Sequence, residues 1–546
     1  MSSAHVATPT ETSQPAGRSK RLAFARWTFA VMFARGLDAA LSFLVAILLA
    51  NRFGASAQLD AFFIARRATI GMTDLIRELV RKVAMPYIAP AIDEGRAINW
   101  HTMPRSVVWI VVAMLVLPII LIAQPGLLVA LVAPGFEGER AALATGLVRI
   151  LIPLLPIAVV TGLLLTFLQS SGVFFVGEAS KALQRLIVVI VLLLFVPPLA
   201  VFGVAWTMLV GGVLAAGLLA TIAWRTHRRK AAKAAEVAAE AISPAVGTER
   251  AAEPRGRVLA AFLLFFYHQL TVVIDFAFAS GLQTGTIASL EYGTRLVSLI
   301  PGLVTLSVTT VLYPEVVRIM RGRDVGAKSR AIHQLMRGSL FVQVPCSLVL
   351  ACAAAPLVQL LFGHGGFDSD AQRGTIVATQ YYAIAAIFLM PTSLAMNAIY
   401  SDSAHSPLLA TLVLAGAGLA LRSALLWWLV PAYGLAGLGL AVVLATFAMS
   451  ALSLWLCNRR FRDLAPARLL PELGLIVLCG AASAAAGYFV AGQMPSTTTI
   501  EEALAFGMIA FATGSTFALT ALVLRQSDMV AAMKAAREQW LRWKAS

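Results

Sequence analysis

Charge is scarce in this chain. Of its 546 residues only 13% are Asp, Glu, Lys or Arg, about half the share in a soluble domain, while 59% are hydrophobic. A surface so poor in charge cannot carry a body of this size in water. With a mean hydropathy of +0.82, the natural solvent is a bilayer. Acid is scarcer still: 27 Asp and Glu stand against 43 Lys and Arg, a net charge of +16. The excess base sits in a few loops between apolar runs, which indicates membrane topology and argues against a nucleic-acid face. Only four cysteines occur, Cys346, Cys352, Cys457 and Cys479, each in an apolar run and none in a CxxC pair, so they read as packing residues. No phosphate-binding loop is present. Gly172 to Gly177 has the glycine spacing but continues Glu178-Ala179, without the lysine and hydroxyl that reach a nucleotide. HExxH and GxSxG are absent and the seven histidines are scattered. Neither ATP-driven transport by this chain alone nor bond-cleaving catalysis is expected.

What is abundant is apolar sequence in lengths that cross about 30 Å of hydrocarbon. Runs fall roughly at 27–50, 59–88, 106–132, 143–169, 178–202 and 203–224, then at 257–280, 288–313, 334–361, 374–400, 407–431, 434–457, 469–492 and 503–524. The fold class is therefore an all-α polytopic membrane protein of about 14 transmembrane helices. The first run is longer than a signal-peptide core and is interrupted by Arg35 and Asp38, so it reads as a retained span, although Ala55-Ser56-Ala57 resembles a cleavage site.

Orientation follows from the loops. One side collects Arg225, Arg228, Arg229, Lys230 and Lys233, then Arg318, Arg321, Arg323, Lys328 and Arg330, then Arg459, Arg460 and Arg462; the other has chiefly Arg52, Arg140 and Arg373. The positive-inside rule makes the first side cytoplasmic, with both termini there. Residues 1–22, rich in Ser, Thr, Pro and Ala, read as a disordered N-terminus, and 225–256 as a cytoplasmic linker. The stretch 526–546 reads as an amphipathic tail, with Met529, Met533, Trp540 and Trp543 beside Lys534, Arg537, Arg542 and Lys544; it suits anionic inner-leaflet lipids.

Short signatures recur across the linker at an offset of about 230 residues. Ala61-Phe62-Phe63-Ile64-Ala65-Arg66-Arg67 resembles Ser289-Leu290-Glu291-Tyr292-Gly293-Thr294-Arg295, Pro134-Gly135-Phe136-Glu137 resembles Gly365-Gly366-Phe367-Asp368, and Val196-Pro197 with Gly203 resembles Val430-Pro431 with Gly434. Three matches in the same order predict two six-helix repeats, 23–224 and 257–458, followed by two extra helices in 459–525. Parallel halves of this kind enclose a cleft and rock about it, which is transporter architecture.

Inside the spans, charge gathers on the first two helices of each half. A charge at mid-bilayer costs about 2.5–3.5 kcal/mol on the insertion scale, so these residues should face a watery cavity. They are Arg35 and Asp38 in helix one, Asp60, Arg66, Arg67, Asp74, Arg77, Glu78, Arg81 and Lys82 in helix two, His268, Gln269 and Asp275 in helix seven, and Glu291 and Arg295 in helix eight. Arginine outnumbers acid, and its planar fork suits phosphate. We expect Arg35, Arg77 and Arg295 to bind a diphosphate, and Asp38, Asp60, Asp275 and Glu291 to hold the arginines or to couple a cation. A pair between Arg35 and Asp38, one turn apart, is the plainer alternative, as is snorkelling for residues 77–82. Arg422 has no evident partner. No cofactor is expected, and a monovalent cation, a proton or the membrane potential would supply the driving force.

At Asp60-Ala61-Phe62-Phe63, Ala133-Pro134-Gly135-Phe136, Glu291-Tyr292-Gly293-Thr294-Arg295-Leu296 with Pro301, and Leu361-Phe362-Gly363 through Phe367, the chain resembles the MviN/MurJ lipid II flippases of the multidrug/oligosaccharidyl-lipid/polysaccharide exporter superfamily. The likeness runs over nearly the whole chain. It implies a V-shaped bundle in the bacterial inner membrane with a cationic central cavity. That cavity would take lipid II, the undecaprenyl-diphosphate-linked peptidoglycan precursor, from inner to outer leaflet by alternating access, beside a lipid groove lined by the two extra helices. Position by position, Phe33-Ala34-Arg35-Gly36-Leu37 resembles the family's first-helix arginine segment, Asp60 its T-D-A-F-F acid, Leu75-Ile76-Arg77 its L-L-R stretch and Arg295 its eighth-helix arginine. The chain departs from the pattern at Leu41-Ser42-Phe43, where a second Arg-Asp pair is usual, and at Val80-Arg81-Lys82-Val83, where the family has G-A-F-S. These departures lie in the cavity segments. They leave open another polyprenyl-diphosphate glycan, an exopolysaccharide or envelope polysaccharide, as cargo. A cation-coupled multidrug exporter would need an acidic, aromatic cavity, and a membrane-embedded glycan polymerase a large charged outward loop.

Overall fold

A computed structural model of the chain describes residues 16–93, 124–194, 200–240, 255–298, 325–401, 406–460, 466–494 and 498–524, with part of 108–123. Among them every regular element is an α-helix, as a chain must be that satisfies its backbone without water. The first half contains α1 (Ala16–Phe53), α2 (Ala57–Asp93), α3 (Pro125–Val132), α4 (Gly138–Leu151), α5 (Leu154–Ser170), α6 (Phe175–Leu194) and α7 (Ala200–Glu240). The second contains α8 (Arg255–Ser280), α9 (Thr286–Val297), α10 (Val325–Cys352), α11 (Ala354–Phe362), α12 (Ser369–Ser401) and α13 (Leu408–Arg460). Two more follow, α14 (Pro466–Gln493) and α15 (Thr499–Val523).

The breaks have local causes. Pro153, which cannot donate a backbone hydrogen bond, separates α4 from α5, so the expected span at 143–169 is one bent pass. Gly434, at φ 56° and ψ −131°, interrupts the 53-residue α13 three residues after Pro431, and so two spans lie end to end where two were expected. A capping box, Thr498 with Glu501, opens α15. Nine helices among the described residues are long and apolar enough to cross a membrane. α2 is absent from those nine although it has 37 residues, because its charges, not its length, set it apart. The expected eighth span is described only through α9, and the third only in part.

Helix α1 starts at Ala16, α7 runs on to Glu240 and α8 starts at Arg255, so helix extends into both stretches expected to be irregular. The amphipathic tail at 526–546 lies outside the described residues, as do Arg318, Arg321, Arg323 and Arg462.

Packing repeats between the halves. In the first, α1 lies against α6 and α2 against α4 and α5; in the second, α8 lies against α13 and α9 against α12. In each half, then, the first pass meets the fifth and the second meets the fourth. At the end of the molecule carrying Phe53, Phe136, Leu290 and Phe367, one continuous apolar cluster draws residues from both halves, including Phe62, Val132, Leu290, Phe362 and Leu438. At the opposite end the clusters stay within a half: Leu168, Leu219 and Ala223 in the first, Ile332, Leu414, Met449 and Cys457 in the second. The halves are fastened at one end, and at the other no apolar cluster of the described residues joins them. α14 and α15 pack on each other and on α10 and α11, outside this arrangement.

Candidate functional site

The closed end is built in layers. Outermost, glycine backbone meets the other half on both sides. Gly366 N–H donates to the Asn51 carbonyl at 2.9 Å, and Gly135 N–H donates to Ser280 Oγ at 2.9 Å. A Cβ on Gly135 would lie 2.5 Å from the Gly281 nitrogen, so no other residue allows the approach. These are the two loops that the repeated Gly-Phe signatures mark.

Beneath them, Asp60, in the first turn of α2, caps a helix of the other half. Its Oδ2 accepts from Gly285 N–H at 2.6 Å and its Oδ1 from Ala288 N–H at 2.8 Å, at the start of α9. Those N–H groups are the ones a helix cannot satisfy itself, and the positive end of α9 favours a carboxylate there. Asp60 is thus a fastening between halves and does not reach the cavity. Below it the fully buried Tyr292 touches Phe63 (5.6 Å, edge-on), Phe362 (5.0 Å) and Phe367 (5.7 Å) between ring centroids, an aromatic plug contributed by both halves.

Under the plug lies a cluster of charge. Glu291 of α9 accepts from Arg66 Nη2 (3.1 Å) and Arg67 Nη2 (2.6 Å) of α2 and from Arg295 Nη2 (3.4 Å) one turn along its own helix. Arg295 also donates to Ser42 Oγ of α1, and Arg67 lies 4.7 Å over the Phe276 ring of α8. Three guanidinium groups share one carboxylate, which leaves two positive charges over.

A cavity of about 240 Å³ lies below, lined by Asp38, Ser42, Arg66, Asp74, Arg77, Lys181 and Arg185 among others from α1, α2, α5, α6 and α7, and by Arg295 of α9. Five of its lining residues are basic and two acidic. Asp38 accepts from Arg185 Nε at 2.5 Å. Arg77 reaches Asp74 only at 3.4 Å, and its buried Nε has no acceptor among the described residues. A wall with surplus guanidinium and an unused donor is built to receive an anion.

The expected site residues therefore separate. Arg77, Arg295 and Asp38 meet at the cavity, with Glu291 at its roof. Arg35 does not join them: its side chain is 63% exposed and its partner is Glu178 at 3.3 Å, so the pair with Asp38 is not formed. Asp275 is elsewhere, buried in the second half and held by Arg422 Nε and Nη2 at 2.7 and 2.6 Å and by the Tyr382 hydroxyl at 2.7 Å. Arg422, unpaired in the sequence reading, has its partner there. Missed altogether were Lys181 and Arg185, which stand with Glu178 at i, i+3 and i+7 on one face of a largely apolar helix. That stripe was the signal for them.

A charge-lined cavity built on the first bundle, roofed by Arg295 of the second and set beneath the tie that fastens the two, defines a membrane transporter. Its fold is shared by an inward-facing multidrug resistance MATE family transporter of the MOP superfamily, with TM-score 0.58 and 14% identity over 78% of this chain and 95% of that one. A structure of lipid II flippase MurJ in an inward closed conformation fits better, with TM-score 0.65 and 17% identity over 90% and 98%. In sequence, the chain is 28% identical over 177 residues, 32% of each chain, to a probable lipid II flippase MurJ of Rhizobium meliloti (strain 1021). It is 25% identical over 353 residues to the lipid II flippase MurJ of Burkholderia cenocepacia, 62% of this chain and 65% of that one. These two matches thus span less than two thirds of the relatives' length. The family model for lipid II flippase MurJ matches residues 49–504. The chain belongs to the MurJ family, a family of multi-pass membrane transporters and not of enzymes.

Proposed function

We propose that this protein carries a lipid-linked saccharide diphosphate across the bacterial inner membrane by alternating access, and that lipid II is its cargo. The cavity supports this reading most directly: five basic residues against two acidic ones, in a space closed at one end of the bundle. Arg77 and Arg295 would grip the diphosphate, with Arg185 and Lys181 opposite them. Membership of the MurJ family favours lipid II as the saccharide.

The end opposite the fastening faces the cytoplasm in this reading, because α7 carries Arg225, Arg228, Arg229 and Lys230 past its apolar stretch and α13 ends in Arg459 and Arg460. Both termini then lie on that side, and the head group enters from the inner leaflet. The membrane potential favours outward movement of an anion, at about 2.3 kcal/mol per charge per 100 mV.

The test is rescue of growth in cells depleted of their lipid II flippase. Wild-type rescue with failure of Arg295→Ala and Arg77→Ala is expected. Failure of a well-expressed wild type overturns lipid II as cargo and leaves another polyprenyl-diphosphate glycan.

A further inference from the structure

The roof cluster has an arrangement the transport reading does not by itself require. Arg66 and Arg295 each do two things at once: they line the cavity, and they bond the same oxygen, Oε1, of Glu291. Glu291 itself is not among the lining residues. Arg67, which takes the other oxygen, faces away onto Phe276 and does not line the cavity either. One carboxylate oxygen thus serves the two arginines a ligand can reach, and the other serves the arginine it cannot.

We propose that Glu291 is a built-in stand-in for the cargo's diphosphate: it holds Arg66 and Arg295 while the cavity is empty and gives them up to an entering anion. The proposal rests on the diphosphate-glycan reading and adds to it a further binding arginine, Arg66, and a resident competitor. Charge sets the size of the ligand it matches. The cluster has two unneutralised positive charges, and a diphosphate diester carries one negative charge on each phosphate, so a doubly charged anion leaves the roof neutral while Arg67 keeps Glu291. A singly charged head group leaves one guanidinium unmatched.

The exchange also acts on the gate. Arg66 is in the first half and Glu291 in the second, so their bond is part of the fastening between halves at the closed end, next in sequence to the plug residue Tyr292. When the anion takes Arg66, that cross-half bond goes, and the closed end is held by less. Binding free energy is thereby directed to opening the outer side, as coupling requires: the ligand interacts differently with the two states.

The experiment uses the full chain in lipid nanodiscs with two probes, inorganic diphosphate and lipid II. Glu291→Gln removes the competitor and should tighten the Kd for inorganic diphosphate about tenfold, whereas Arg66→Gln should weaken it about tenfold. Spin labels at the exposed Glu139 and Gln283, on opposite halves at the closed end, read the gate. Lipid II should lengthen their separation in wild type, and Glu291→Gln should show the lengthened form without ligand. An unchanged or weaker Kd for Glu291→Gln, with an unchanged gate distance, overturns the stand-in while wild-type binding keeps the transport reading. If Glu291→Gln does not fold, Glu291→Asp serves, with the shorter arm expected to loosen its hold and tighten diphosphate binding; no change there is equally fatal. Wild type that binds neither probe overturns both readings. Binding of inorganic diphosphate but not lipid II, with the variants ordered as above, overturns only the lipid II cargo.

Discussion

The two halves bury arginine in opposite ways. In the first, cavity-lining guanidinium groups outnumber carboxylates, and Arg77 keeps a buried donor unused. In the second, Arg422 meets Asp275 through two hydrogen bonds, the Tyr382 hydroxyl supplies a third contact to that carboxylate, and the group is shut from solvent. Sequence hydropathy treats these as the same event, a charge within a span. Stoichiometry separates them: a saturated pair is a strut, and a surplus of one sign is a seat for something that comes and goes.

The comparison can be broken at its strut first. Arg422→Ala leaves Asp275 buried and uncompensated and should cost about 3–5 kcal/mol, read as a large fall in Tm of the purified protein. Asp275→Asn combined with Arg422→Met should restore much of it; a double variant as unstable as the single one would show that packing, not the ion pair, holds α8 to α13. Next comes the seat. Arg77→Ala should lower transport of lipid II in vesicles tenfold or more, with a far smaller change in Tm than at Arg422, and equal losses of stability at the two positions would erase the distinction. Asp60→Ala removes the cap of α9 and should cost about 1–2 kcal/mol, together with greater labelling of the closed end by a water-soluble thiol reagent at an introduced cysteine. Smallest is Arg35→Ala: its exposed pair with Glu178 contributes within about 1 kcal/mol, and transport should stay near wild type.

Much of the fold was legible because hydropathy is a local property. Pro431 and Gly434 placed a span boundary inside what is one continuous 53-residue helix but for the Gly434 break. The repeated Gly-Phe loops turned out to be the cross-half contacts at Gly135 and Gly366. The site was legible by residue type and not by partner. Arg35 and Asp38 are one turn apart, yet each turns to α6, to Glu178 and Arg185, because packing of α1 on α6 outbids a neighbour on the same helix. Asp275 and Arg422 are 147 residues apart, and no local pattern joins them. Asp60 was read as a cavity acid because its type suits that role; its position in the first turn of α2, opposite the start of α9, is a tertiary fact.

The glycine loops have a kinematic consequence. Gly135 grips the end of α8 and Gly366 grips the end of α1, so the two fastenings are related by the same exchange of halves as the repeat itself. Rigid bodies joined at two such points cannot shed one without loading the other. Tilting one half away from the other draws on both grips together, and because each runs from a glycine N–H to a carbonyl or a short serine hydroxyl, neither has a long side chain that stretches to stay attached. Under the proposed alternating access, the closed end would therefore release as a single event, with no half-unlatched stage at which water or ions find a path past the plug.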